Sequence, residues 1–234
     1  MESRLEWLSE EEGCISYYDG KKFFLTARVY ITGEKEAEFC LQDIVFPEKE
    51  AKNEDIHNEV ISKMTRCISK TVRLLWEEGY DETTLVEHEG TKLAEILGST
   101  KVVQLEYKEY MMKKYFLPQK STDCGFNSLN LIETEEGYTC ENKEGSFFCH
   151  LLNYESAQPE EACFYLYEVE VEKKERNKGI ATACLTELFR MLCSKSAVTI
   201  YLQVGSYNEP AVHLYKKLGF EIREALCYYT LAEE

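Results

Sequence analysis

Arg176, Asn177, Lys178, Gly179, Ile180 and Ala181 stand where an apolar strand pattern, residues 164–171, hands over to a helical pattern, residues 180–193. A turn of this composition suits a phosphate group. Gly179 can take backbone angles closed to other residues, and the small Ala181 lets a ligand approach the peptide N–H groups at the helix start. Those amides and the positive end of the helix dipole favour a pyrophosphate, and Arg176 and Lys178 add charge. Six residues with one glycine also describe an ordinary strand-to-helix turn, so the surrounding elements must decide.

After the helix comes a β-rich run, residues 198–204, then Asn208-Glu-Pro-Ala211 leading through Tyr215 to Leu218-Gly219-Phe220, then a last apolar strand to Leu231. Strand, basic glycine turn, helix, strand, Asn-x-x-Ala-x-x-x-Tyr helix, Leu-Gly-Phe and closing strand together resemble the GCN5-related N-acetyltransferase (GNAT) family. The resemblance covers residues 137–234, with both motifs in the family's order and spacing. It implies an enzyme that transfers acetyl from acetyl-coenzyme A (acetyl-CoA) directly to a primary amine of a small molecule.

The same resemblance assigns roles. The main chain of Val169, Glu170 and Val171 would pair with the pantetheine amides as an added strand does, and residues 176–181 would hold the pyrophosphate. Asn208 matches the asparagine that fixes the cofactor near the thioester, although a helix N-cap accounts for it equally simply. Tyr215 would donate a proton or hydrogen bond to the departing thiolate. Glu168, on the strand entering the cofactor site, is the best base for the attacking ammonium, with Glu170 second.

Composition narrows the alternatives. Lys plus Arg number 27 against 43 Asp plus Glu, a net charge of −16. Such a surface argues against nucleic acid or anionic membrane as the main partner. No apolar run reaches the length of a membrane span, and the N-terminal residues show no basic-then-apolar leader, so a cytoplasmic location is expected. Ten cysteines are scattered singly without a Cys-x-x-Cys pair, and His57, His88, His150 and His213 show no paired ligand spacing. Reduced core cysteines and no metal site are the expectation.

The sequence also repeats itself. The stretch from Trp7 through Gly13 to Ser16 parallels Leu131 through Gly137 to Cys140; residues 39–46, containing Asp43, parallel 164–171, containing Glu168; and Ala94 to Ser99 parallels Tyr215 to Phe220. Three matches in one order indicate a tandem duplication. The expected fold is α+β, two GNAT-like halves, each a mixed, mainly antiparallel sheet with flanking helices. Residues 1–113 form a degenerate domain, 114–124 a basic-aromatic linker, and 125–234 the acetyl-CoA-binding domain.

The halves differ chemically. In place of Arg176 and Gly179 the first has Ala51 and Glu54, inside an acidic run from Glu48 to Asp55, and in place of Tyr215 it has Ala94. Carboxylates at a helix start repel pyrophosphate, so the first half is expected to be structural or to shape the acceptor side. A complete GNAT domain also has two helices before its meander, and residues 125–136 leave room for one strand only. The first half, packed as a pseudo-dimer partner, would supply the missing wall and favours a monomer, with a homodimer as the alternative. Two other functions fit the same residues: an acyl-CoA-binding sensor or assembly module of weak activity, and a protein N-terminal acetyltransferase.

Overall fold

The computed structural model describes residues 2–45, 54–99, 102–118, 128–154, 161–194 and 196–231. They fall into two compact units, residues 1–108 with 226–234, and residues 109–225.

The first unit opens with β1 (Glu2–Trp7), β2 (Glu12–Asp19), β3 (Lys22–Ile31) and β4 (Glu36–Gln42), an antiparallel meander. Alternation of side chains sends Ala37, Phe39 and Leu41 to the core and Glu38, Cys40 and Gln42 to the other face. Helix α1 (Glu54–Glu77) then crosses to β5 (Glu82–His88), which lies parallel to β4. Its apolar stripe, Val60, Met64, Cys67, Ile68 and Leu75, shares one core with Ile15, Tyr17 and Phe39. Within that core the hydroxyls of Tyr17 and Thr71 pair at 2.7 Å, so neither is left unsatisfied. Helix α2 (Lys92–Ser99) follows, capped by Thr91, whose Oγ1 accepts from Ala94 N at 3.0 Å. It leads into β6 (Val103–Phe116).

The second unit repeats this order. β7 (Leu129–Glu133), β8 (Gly137–Asn142), β9 (Phe147–Asn153) and β10 (Glu161–Val171) form an antiparallel meander. A single 3-10 turn, Lys173–Glu175, precedes α3 (Ile180–Leu192), which crosses to β11 (Ala197–Gly205), parallel to β10. Then come α4 (Glu209–Lys217) and β12 (Glu221–Leu231). Leu185, Leu188 and Phe189 of α3 share a core with Leu166, Ile200 and Leu202 of the sheet. The duplication extends to backbone detail. Asp43 and Glu168, matched in the sequence repeat, both adopt positive φ, 52° and 49°.

The end strands do not stay within their own halves. Residues 109–116 of β6 pair antiparallel with β11 in the second unit, and residues 226–229 of β12 pair with β5 in the first. Strand β6 runs on to Phe116, where Met112 is fully buried and the Phe116 ring packs 5.0 Å from that of Phe189. Lys113 to Phe116 are therefore strand residues. Strand β4 ends at Gln42, where Asp43 leaves the extended region. Residues 119–127, with the expected boundary at Gly125, and residues 46–53, with Ala51 and most of the acidic run, lie outside the described residues.

Gly137 opens β8 so close to β9 that a Cβ there would overlap the Leu151 carbonyl oxygen, a backbone atom that cannot swing aside. Gly137→Ala is expected to destabilise the protein by about 2–4 kcal/mol, measured as the shift of the urea midpoint at constant m-value.

Candidate active site

Strands β10 and β11 pair from Glu161↔Ala197 to Tyr165↔Tyr201 and then part, although both continue. The cause lies in β10. Its register against β9 gains one residue between Tyr167↔His150 and Glu170↔Phe148, a β-bulge that includes Glu168 at φ 49°. The bulge turns the strand away from β11. The edge of residues 169–171 facing β11 is thereby left without a ladder partner, open to an extended chain bearing amides.

Beyond the fork the chain is held by two bonds. Glu172 N donates to Ser146 O at 2.9 Å, and Arg176 Nε donates back to Val171 O at 3.0 Å. Asn177 and Gly179 then take left-handed angles, φ 63° and 81°. Gly179 is the N-cap of α3, and no side chain caps the helix there. The first-turn amides of α3 lack intrahelical acceptors by the geometry of any helix start, and a Cβ built on Gly179 would meet no atom within 4 Å. An anion can reach these amides without displacing protein atoms.

A cleft of about 700 Å³ joins these features. Val169, Glu170 and Val171 line it from the bulged strand, and Arg176, Asn177, Gly179, Ile180 and Ala181 from the turn and helix start. Asn208 and Tyr215 line it from the α4 side, beside Pro210, His213 and Lys217. Every side chain assigned to the cofactor thus borders one cavity, except Lys178. That lysine turns to Glu175, Nζ to Oε2 at 2.9 Å.

Asn208 caps α4, its Oδ1 accepting from Ala211 N at 3.3 Å. With that oxygen engaged, the side chain has its amide nitrogen to offer a ligand. Tyr215 is 7% exposed, its ring set edge-on to Phe220 at 5.9 Å. Burial first, with Cys149 and Tyr165 nearby adding to it, pushes its phenol up to about 12. It therefore keeps its proton at neutral pH and has it to donate.

Glu168 lies elsewhere. It does not line the cleft, and its carboxylate faces His150, Oε2 to Nε2 at 3.4 Å. His150, on β9 opposite Tyr167, was visible in the sequence only as a lone histidine in an alternating strand. Its partner is set by cross-strand register and by the bulge, neither of which a linear motif records.

Among the described residues, no group of three or more His, Cys, Asp or Glu is placed to hold a metal ion, and no helix is long and apolar enough to cross a membrane. Seven of the nine described cysteines are buried and all nine are unpaired by disulfide; Cys124 lies outside the described residues.

A forked parallel strand pair, a bulge at the fork and an uncapped helix start thus border one cleft. Residues 118–220 match the sequence model of the acetyltransferase (GNAT) family. The likeness to that family lies in the second half of the chain. Histone acetyltransferase MCC1 of Arabidopsis thaliana is 34% identical over 83 residues, 35% of this chain and 34% of that protein. The chain thus matches about a third of the length of that curated relative. Among solved structures, a GCN5-related N-acetyltransferase from Sphaerobacter thermophilus aligns with 97% of this chain and 82% of its own, at TM-score 0.56 and 12% identity. One from Kribbella flavida aligns with 89% of this chain and 87% of its own, at TM-score 0.50 and 9% identity. These likenesses show the fold, which extends the GNAT architecture beyond the matched residues into the first half.

Proposed function

We propose that the second half binds acetyl-CoA in the 700 Å³ cleft and transfers the acetyl group to a primary amine of a small molecule. The observation that carries this reading is the convergence in one cavity of an unpaired strand edge, an uncapped helix start and a protonated tyrosine. The edge of residues 169–171 receives the pantetheine amides. The amides that follow Gly179, with Arg176, hold the pyrophosphate, and Lys178 contributes charge without contact. Asn208 orients the thioester arm through its Nδ2. Tyr215 donates to the sulfur as the C–S bond breaks, when charge develops on the thiolate. Glu168, at the bulge next to Val169, serves as base for the acceptor ammonium, directly or through water.

The first half serves as structure in this reading. It retains the positive-φ residue at Asp43, but its sequence has no glycine between Gly33 and Gly79 to form the phosphate turn. Direct transfer requires only one cofactor site per chain.

A panel of polyamines, aminoglycosides, amino acids and short peptides, assayed by release of free coenzyme A thiol, tests the reaction. Turnover with a small amine is the expected outcome. Turnover confined to peptides with free N-termini would make the protein an N-terminal acetyltransferase. Tight cofactor binding with no turnover on any amine would make it an acyl-CoA sensor. With a productive amine, Glu168→Gln is expected to lower kcat about 10²-fold at neutral pH and to leave acetyl-CoA affinity unchanged.

A further inference from the structure

The first unit holds a second strand fork, which the acetyl-transfer reading leaves unused. Strands β4 and β5 pair in parallel from Glu36↔Glu82 to Phe39↔Leu85 and then part, although β4 continues to Gln42 and β5 to His88. Beyond that point each strand keeps its outer neighbour alone. Cys40, Leu41 and Gln42 stay opposite Arg28, Ala27 and Thr26 of β3, and Val86, Glu87 and His88 stay opposite Tyr228, Cys227 and Leu226 of β12. No ladder joins residues 40–42 to residues 86–88. Strand edges without a partner are a template for another extended chain. A cavity of about 350 Å³ lies at the fork, lined by residues 40–42 and 86–88. At the rise of a strand, these stretches are about 10 Å long and take about three residues of a ligand chain.

Charge selects the kind of chain. Arg176 and Lys217 line the cleft of the second unit, whereas the described residues lining this cavity include Glu38 and Glu87 and neither Lys nor Arg. A phosphate is disfavoured here and a cation favoured. The two carboxylates lie on opposite faces of the sheet. Glu38 shares a face with Cys40 and Gln42, and Glu87 follows the core residue Leu85 by two positions, which puts it on the core face. Glu87 is held in place: its Oε1 accepts from His88 N at 2.9 Å and from Thr91 Oγ1 at 3.1 Å, which leaves Oε2 for a ligand. Tyr30, opposite Glu38 on β3 and exposed, adds an aromatic ring to the cavity wall, a surface that also attracts cations. Successive side chains of an extended chain alternate between faces, so two adjacent basic residues meet a carboxylate each. Cys40 takes no covalent part: burial first, with Glu87 adding to it, pushes its thiol up from the ordinary value and keeps it protonated.

We propose that this fork docks an extended peptide with two adjacent basic side chains, added as a strand between β4 and β5. The peptide amides pair with the inner edges of residues 40–42 and 86–88. One basic side chain reaches Glu38 beside Tyr30, and the next reaches Glu87 Oε2 on the other face. An open ladder, a cavity at the opening and a carboxylate on each face carry the inference together. The site is independent of acetyl-CoA, whose phosphates its carboxylates repel, and it gives the first unit a ligand of its own. It stands whether or not the second unit transfers acetyl groups.

The test uses the full chain and the blocked peptide acetyl-Ala-Arg-Arg-Ala-amide, which carries no primary amine and so cannot serve as an acetyl acceptor. Affinity is measured by calorimetry at physiological ionic strength, where diffuse attraction to an acidic surface is screened. Amide hydrogen exchange locates the bound peptide. The expected result is saturable binding, with exchange slowed over residues 40–42 and 86–88 and unchanged over residues 169–171. Three changes should each weaken it at least about tenfold. Citrulline in place of both arginines removes the charge. N-methylation of the two central amides keeps the charge and removes strand pairing. Glu87→Gln keeps an oxygen for His88 N and Thr91 Oγ1 and removes the carboxylate that the second arginine meets. No binding, protection elsewhere than the fork, equal binding of the N-methylated peptide, or unchanged affinity in Glu87→Gln overturns the proposal. None of these readouts needs acetyl-CoA or turnover, so failure of the docking site is distinct from failure of the enzyme reading.

Discussion

Replacing Tyr215 by phenylalanine should cut acetyl transfer by about 10²-fold while leaving acetyl-CoA affinity within about threefold. The ring is 7% exposed and packs against Phe220, a contact that phenylalanine preserves. Only the hydroxyl is lost. Because burial pushes that phenol up to about 12, its proton is present throughout the neutral range and its value to the reaction is as a donor. The bond it makes to sulfur is weak while the sulfur is part of a thioester and strong once charge develops, so the effect belongs in kcat. Stopped-flow or steady-state thiol release, with calorimetry of acetyl-CoA on the same variant, separates the two quantities. Unchanged turnover would remove Tyr215 from the mechanism.

Gly179→Glu should abolish measurable acetyl-CoA binding while the protein stays folded. Two effects act together. At φ 81° any residue with a Cβ is strained, costing roughly 1–2 kcal/mol. The new carboxylate also faces the cleft beside the α3 start, since nothing lies within 4 Å of the added Cβ to turn it away. A single negative charge at about 5 Å from a phosphate charge, in an effective dielectric of about 20, opposes binding by about 3 kcal/mol, or about 10²-fold. Gly179→Ala isolates the first effect and should bind much more tightly than Gly179→Glu. Equal losses in the two variants would show that backbone strain, rather than anion repulsion, explains the result.

How far the sequence reveals this site depends on whether the information is local. The turn at residues 176–181 is local: a glycine, two basic residues and a flanking strand and helix are written consecutively, and the structure places left-handed angles at Asn177 and Gly179. The Asn208 cap and the tyrosine about two turns further along α4 are equally local. The end strands are not. Lys113, Lys114, Tyr115 and Phe116 read as a polar-aromatic link, and only the β11 edge beside them makes them strand. The surroundings of His150 are illegible for the same reason: Thr139 and Glu168 are brought to it by two strand registers and a bulge. Lys178 shows the converse. Its place in the motif suggests a phosphate contact, but Glu175, three residues earlier, captures the ammonium.

The most direct measurement is amide hydrogen exchange of the full chain with and without saturating acetyl-CoA, read by mass spectrometry. A cofactor lying along the bulged strand and over the helix start should slow exchange at residues 169–171 and 177–182, and leave the matched stretch of the first unit, residues 38–45, unchanged. Protection confined to the first unit, or none anywhere in a folded protein, would contradict the assignment of the second-half cleft as an acetyl-CoA site.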